Sequence, residues 1–142
     1  MKLKVSLFLF FAIAIASGAA LAASPADLLD ALAKEARAAD PAFRGFSAQR
    51  GEHFYRTPQV SDWSCSSCHT DQPAAEGRHA VTHKRIQALA PAANPERFTN
   101  PEKVEKWFRR NCNDVLKRSC TVAEKGDFLT YLMAVPASGG GK

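Results

Sequence analysis

Cys65 and Cys68 stand three residues apart, and His69 follows directly. Two thiols at this spacing can each form a thioether with one flat macrocycle, while the next side chain ligates its metal from below. This is the attachment pattern of a c-type haem, and a chain that carries it must fold around a large group fixed at Cys65, Cys68 and His69. The alternatives are a disulfide, a redox-active cysteine pair and half of a zinc site. A redox pair sits between a strand and a helix, whereas Ser61-Asp62-Trp63-Ser64 and Thr70-Asp71-Gln72-Pro73 read as loop. A structural zinc site needs a second closely spaced pair of ligands, and Cys112 and Cys120 are too far apart to supply one.

The start of the chain supports haem attachment, a reaction of the compartment outside the bacterial cytoplasm. Lys2 and Lys4 form a basic start, Val5 to Ala16 are almost wholly apolar, and Ala20-Leu21-Ala22 offers a small-x-small cleavage pattern. Cleavage after Ala22 makes residues 1–22 a signal peptide and 23–142 one domain, expected to be periplasmic and monomeric. The formal charge of +5, from 19 Lys and Arg against 14 Asp and Glu, falls further once Lys2 and Lys4 are removed. The arginines are spread along the chain with no basic patch interleaved with aromatics, so no nucleic-acid partner is implied. No segment after the signal is long enough to span a bilayer.

The remaining pattern predicts an all-α fold with long loops. A first helix is capped by Ser24 with Pro25 at its first position, carries Leu28, Leu29, Leu32 and Ala36 on one face, and ends at Asp40-Pro41. A second runs from Ser47 to about Arg56. It places Gly51 and Tyr55 one turn apart, where another helix can cross closely, much as in the N-terminal helix of small monohaem cytochromes c. A third starts at Thr99-Asn100-Pro101-Glu102, carries Val104, Trp107 and Phe108, and stops near Asn111. The last begins with the capping box Thr121-Val122-Ala123-Glu124, carries Phe128, Leu129 and Leu132, and ends at Val135-Pro136. Residues 137–142 form a Gly-rich tail, and strand-like alternation is absent.

The second iron ligand separates an electron carrier from a ligand binder. Met133 falls in the last turn of the final helix, beyond the loop that supplies the axial Met in ordinary small cytochromes c. His53, His79 and His83 lie in polar surroundings, and of these His83 stays a candidate because imidazole binds iron in both oxidation states. The remaining candidate is the stretch Asn111-Cys112-Asn113. Cys112 and Cys120 are left over from haem attachment in an oxidising compartment, which predicts a disulfide between them. Closing so short a loop contributes about 2.5 kcal/mol in the chain-entropy picture. The bridge also fixes a polar side chain beside it. Trp63, Trp107 and Phe108 are expected in the core or as walls of the pocket, and Arg109 and Arg110 beside haem propionates or in solvent.

Several further stretches carry a more specific likeness: Ala90-Pro91, Asn94-Pro95-Glu96-Arg97-Phe98-Thr99, Lys103 through Cys112, and Cys120-Thr121 with Glu124 through Leu129. Over about residues 47–135 the chain resembles the sphaeroides haem protein family, oxygen-binding monohaem cytochromes c. The resemblance implies a small cytochrome c fold with one covalent haem held at Cys65 and Cys68. It implies His69 as proximal ligand, Asn111 as distal ligand of ferric iron, and a Cys112–Cys120 bridge. It also implies a dihaem cytochrome c and a membrane cytochrome b as redox partners. An amide oxygen is a neutral, hard donor that suits ferric better than ferrous iron. Reduction is therefore expected to free a position for oxygen or nitric oxide. The alternative, a haem enzyme reducing oxygen, nitric oxide or peroxide, ranks below a carrier, since no distal histidine and arginine pair suited to peroxide chemistry is identifiable.

Overall fold

A computed structural model describes residues 23–137; the predicted signal peptide and all but the first residue of the predicted tail lie outside the described residues. Helix α1 (Pro25–Ala39) opens with Ser24 and Asp27 capping each other's backbone, and Pro25 occupies the first helical position, where no N–H is needed. Helix α2 (Ala48–Arg56) is capped by Ser47, whose hydroxyl accepts from the Arg50 N–H. A single turn, α3 (Ser66–His69), contains the end of the cysteine motif. Helix α4 (Pro101–Leu116) starts from Asn100, which accepts from the Lys103 N–H, and α5 (Val122–Ala134) from the Thr121–Glu124 capping box.

The structure differs from the sequence reading in the single turn α3, in the end of α4 and in the loop after the cysteine motif. Helix α4 continues past Asn111 to Leu116, where Lys117 turns left-handed and ends it. Its buried positions Val104, Cys112 and Leu116 prolong the apolar stripe through the asparagines. The loop after the cysteine motif contains a small antiparallel hairpin, β1 (Gly77–Arg78) with β2 (Arg85–Ile86), pairing Gly77 with Ile86 and Arg78 with Arg85. Two-residue strands are too short to show alternation.

Helix α5 is the central element, with α2 crossing it closely and α1 packed on it. The core joins Leu32, Tyr55, Phe128, Leu129 and Leu132, and a smaller cluster surrounds Cys112, Leu116 and Cys120. Phe54 and Phe108 pack against both clusters. The α2–α5 crossing closes at Gly51, where a Cβ would stand 2.0 Å from the Asp127 carbonyl oxygen. The Asp127 side chain fastens the same crossing. Only 6% exposed, it accepts from the Ser47 N–H at 2.7 Å and from Arg50 Nε and Nη2 at 2.6 and 2.7 Å. Among the described residues no helix is long and apolar enough to cross a membrane.

Candidate functional site

Cys65 begins the single turn α3, its carbonyl accepting from the Cys68 N–H at 3.3 Å and the His69 N–H at 3.1 Å. Residues at i, i+3 and i+4 share one face of such a turn, so both sulfurs and the imidazole are presented together. Ser64 sets the entry to the turn, its N–H bonding Ser67 Oγ and its hydroxyl meeting Ser66 and Ser67.

Three neighbours hold this turn in place. Tyr55, wholly buried, donates its hydroxyl to the Thr70 carbonyl at 2.6 Å, which ties α2 to the residue after His69. Thr70 itself has φ 61° and ψ 172°, a region almost reserved for glycine. For a β-branched residue this costs about 1–3 kcal/mol, which the surrounding contacts must offset. Gly77 passes so close that a Cβ there would lie 2.2 Å from the Cys68 carbonyl oxygen and 2.9 Å from His69 Cα. Neither Thr70 nor Gly77 stands out in the sequence, although an isolated glycine beside a strand is the kind of signal that marks close backbone approach.

Electrostatics favour a neutral imidazole at His69 and a protonated thiol at Cys65. Burial, helped by the nearby Arg97 charge, pushes the His69 imidazole down to about 4, so it keeps a lone pair for a metal at neutral pH. Burial raises the Cys65 thiol to about 12. The two thiols are not bonded to each other, and the Ala80 N–H points to Cys68 Sγ at 3.3 Å.

Asn111 lies exposed on α4, immediately before Cys112, which is joined to Cys120 with the Cα atoms 5.6 Å apart. Helix α4 makes no backbone approach to any element comparable with the α2–α5 or α1–α5 contacts. Its side chains Val104 and Phe108 reach the core, with the Phe108 and Phe128 rings edge to face at 5.7 Å. Trp107 and Trp63 are 43% and 39% exposed, so neither is a core residue. Arg109 and Arg110 are both exposed, and Arg110 lies over the Trp107 ring. Met133 is on the surface. The hairpin explains the two histidines beyond the motif. His79 Nδ1 accepts from the Val81 and Thr82 N–H groups, and His83 is exposed in the left-handed conformation that closes the turn.

These features fit a c-type haem: two unbridged thiols and a neutral imidazole presented together on one turn. A zinc site does not fit, since among the described residues no three His, Cys, Asp or Glu side chains converge to hold a metal ion.

Comparisons with known proteins agree. Residues 41–132 match the family described as Domain of unknown function (DUF1924). Cytochrome c'' of Methylophilus methylotrophus is 35% identical over 137 residues, covering 94% of this chain and 95% of that protein. The cytochrome c-type protein SHP of Cereibacter sphaeroides is 41% identical over 127 residues, covering 85% and 93%. The crystal structure of oxidised cytochrome c'' matches with a TM-score of 0.72 at 36% identity, over 78% of this chain and 94% of that one. Oxidised SHP, described as an oxygen-binding cytochrome c, matches with a TM-score of 0.69 at 40% identity, over 79% and 97%. A solution structure of cytochrome c'', described as bearing on haem-ligand detachment, matches with a TM-score of 0.69 at 35% identity, over 78% and 92%. The chain belongs to the DUF1924 family, is a relative of cytochrome c'' and SHP, and is a small, mostly helical c-type cytochrome with one covalently attached haem.

Proposed function

We propose that this chain is a periplasmic electron carrier in which Asn111 ligates ferric iron opposite His69 and lets go of ferrous iron, opening a position for oxygen or nitric oxide. The carrying observation is the placement of Asn111, exposed on α4 and directly before a cysteine bonded to Cys120. When attached, the haem supplies an iron that changes oxidation state and takes a small sixth ligand. The His69 imidazole suits both states, whereas the neutral amide oxygen of Asn111 suits only the harder ferric ion. SHP is described as oxygen-binding and cytochrome c'' as showing haem-ligand detachment, which supports the same behaviour here.

We assign electron transfer and gas binding rather than turnover. Peroxide chemistry needs a distal acid-base histidine, and the two histidines after the motif serve the hairpin, His79 as an acceptor within it and His83 at its exposed turn. Export rests on Lys2, Lys4 and the apolar stretch to Ala22. The resemblance to the sphaeroides haem proteins makes a dihaem cytochrome c and a membrane cytochrome b the redox partners. The test is Asn111→Val in the matured protein. The ferric form should become high-spin or water-bound, carbon monoxide binding to the reduced form should persist, and the midpoint potential should rise because only the ferric state loses a ligand. His83→Ala is the control. Loss of the ferric low-spin signal in His83→Ala but not in Asn111→Val would refute the proposal and make the protein a bis-histidine carrier.

A further inference from the structure

We infer that Arg97 is the fixed counter-charge of a haem propionate and that its charge raises the potential of the iron. Its guanidinium is held on one side by two backbone carbonyls, with Nε on Ala88 O and Nη2 on Gln87 O, both at 2.9 Å. Asn94 Nδ2 also reaches the Ala88 carbonyl at 3.3 Å, and the Arg97 N–H bonds Asn94 O at 3.0 Å, so the turn is tied at both ends. The same strand of chain is fastened to the proximal side of the haem site. The N–H groups of Leu89 and Ala90 bond Pro73 O at 2.8 and 2.9 Å, a few residues after His69.

The residue after Arg97 is under strain. Phe98 has φ 62°, a left-handed conformation that is an outlier for a bulky side chain, while its ring is buried in the cluster against which Cys65 packs. Such a conformation is costly and persists where neighbouring contacts impose it. Here they bury Phe98 while keeping Arg97 folded back on residues 87 and 88.

The charge on Arg97 is unmatched. Arg50, Arg56, Arg85, Arg110 and Arg118 each have a carboxylate within ion-pair distance, but among the described residues half-buried Arg97 has none. A guanidinium has five N–H donors, and the two carbonyls occupy two of its nitrogens, leaving a fork suited to a carboxylate. A group bonded at Cys65 and Cys68 brings two propionate carboxylates to this part of the fold. Arg109 and Arg110, the candidates from sequence, are both exposed on α4, and Arg110 is engaged with Trp107 and Asp114.

A fixed positive charge near the iron disfavours the ferric state. In the haem-loaded protein, Arg97→Gln should therefore lower the midpoint potential, Arg97→Lys should stay close to wild type, and Arg109→Gln with Arg110→Gln should change little. A purely structural tie predicts that both Arg97 variants lose thermal stability with the potential unmoved. That result overturns the inference, as does a drop in potential confined to the Arg109/Arg110 pair. If Arg97→Gln fails to accumulate, the haem propionate methylene resonances of the wild type are followed against pH. One propionate ionising below the ordinary carboxylate range supports the inference, and two ordinary titrations refute it.

Discussion

Gly51→Ala sets two physical effects against each other, and the structure decides the sign. In an isolated helix alanine is better than glycine by about 1 kcal/mol, so propensity alone predicts a gain. At the α2–α5 crossing the new Cβ would lie 2.0 Å from the Asp127 carbonyl oxygen and 2.9 Å from Tyr131 Cβ. Ordinary carbon contacts fall near about 3.5 Å, so the helices must separate by roughly 1.5 Å. The nearer obstacle is backbone of α5, which cannot swing aside as a flexible side chain would. Overpacking of this kind costs about 1–3 kcal/mol. Separation also stretches the bonds from Ser47 and Arg50 to buried Asp127, and bonds to a charged group contribute about 1.5–3 kcal/mol each. Net of the propensity gain, the expected loss is about 2–4 kcal/mol, which lowers the unfolding midpoint by roughly 10–15 °C for a chain of this size. Thermal and urea unfolding of the haem-loaded protein measures it. A variant as stable as wild type, or more so, would show that the crossing is not closed at Gly51.

Two further outcomes are expected. Tyr55→Phe removes the hydroxyl that bonds Thr70 O and should cost about 1 kcal/mol at neutral pH. Burial raises Tyr55 above the ordinary tyrosine range. The unfolded chain therefore loses this proton first, and the contribution of Tyr55 is complete below about pH 10 and fades as pH rises past it. The variant should show a shallower alkaline loss of stability in urea titrations at pH 7 and above 10; an unchanged slope would place Tyr55 outside the linkage. Replacing Cys112 and Cys120 together by serine should cost about 2.5 kcal/mol and alter the ferric spectrum more than the ferrous one. Equal change in both oxidation states would detach the bridge from the proposed Asn111 switch.

What the sequence revealed was local. Ser24, Ser47, Asn100 and the Thr121–Glu124 box each start a helix where expected, because a cap depends on residues three positions apart. Gly51 and Tyr55 were legible as a crossing for the same reason, since a small residue and an aromatic one turn apart form one surface. The end of α4 was not legible. Asn111 and Asn113 lower helix propensity, and only the burial of Cys112 and Leu116 against Phe54 and Phe108 carries the helix through them. Arg97, Gly77 and Asp127 were missed because their roles lie in backbone or partners distant in sequence. Trp63 and Trp107 were expected as core or pocket wall, yet each keeps a large exposed area, and Trp107 stacks under the Arg110 guanidinium instead.

The two sides of the site are held very differently, and the proposed ligand exchange on the iron requires that difference. On the proximal side, Tyr55 fixes Thr70, Gly77 packs against the backbone of Cys68 and His69, and a strained Thr70 conformation is imposed by its neighbours. Moving His69 would break several of these contacts at once. On the side proposed as distal, α4 is attached through Val104 and Phe108, the Lys125–Glu105 ion pair, the bond from Ser61 Oγ to Val115 O, and the disulfide. The disulfide anchors the chain one residue from Asn111, while Asn111 itself is exposed with no side-chain hydrogen bond among the described residues. In the proposed switch, withdrawing its amide from reduced iron would therefore break no side-chain hydrogen bond to protein, and returning it would need only a side-chain movement on a backbone that the bridge keeps in place. The ligand exchange can then follow the oxidation state of the iron without partial unfolding, which is the property the proposed carrier needs.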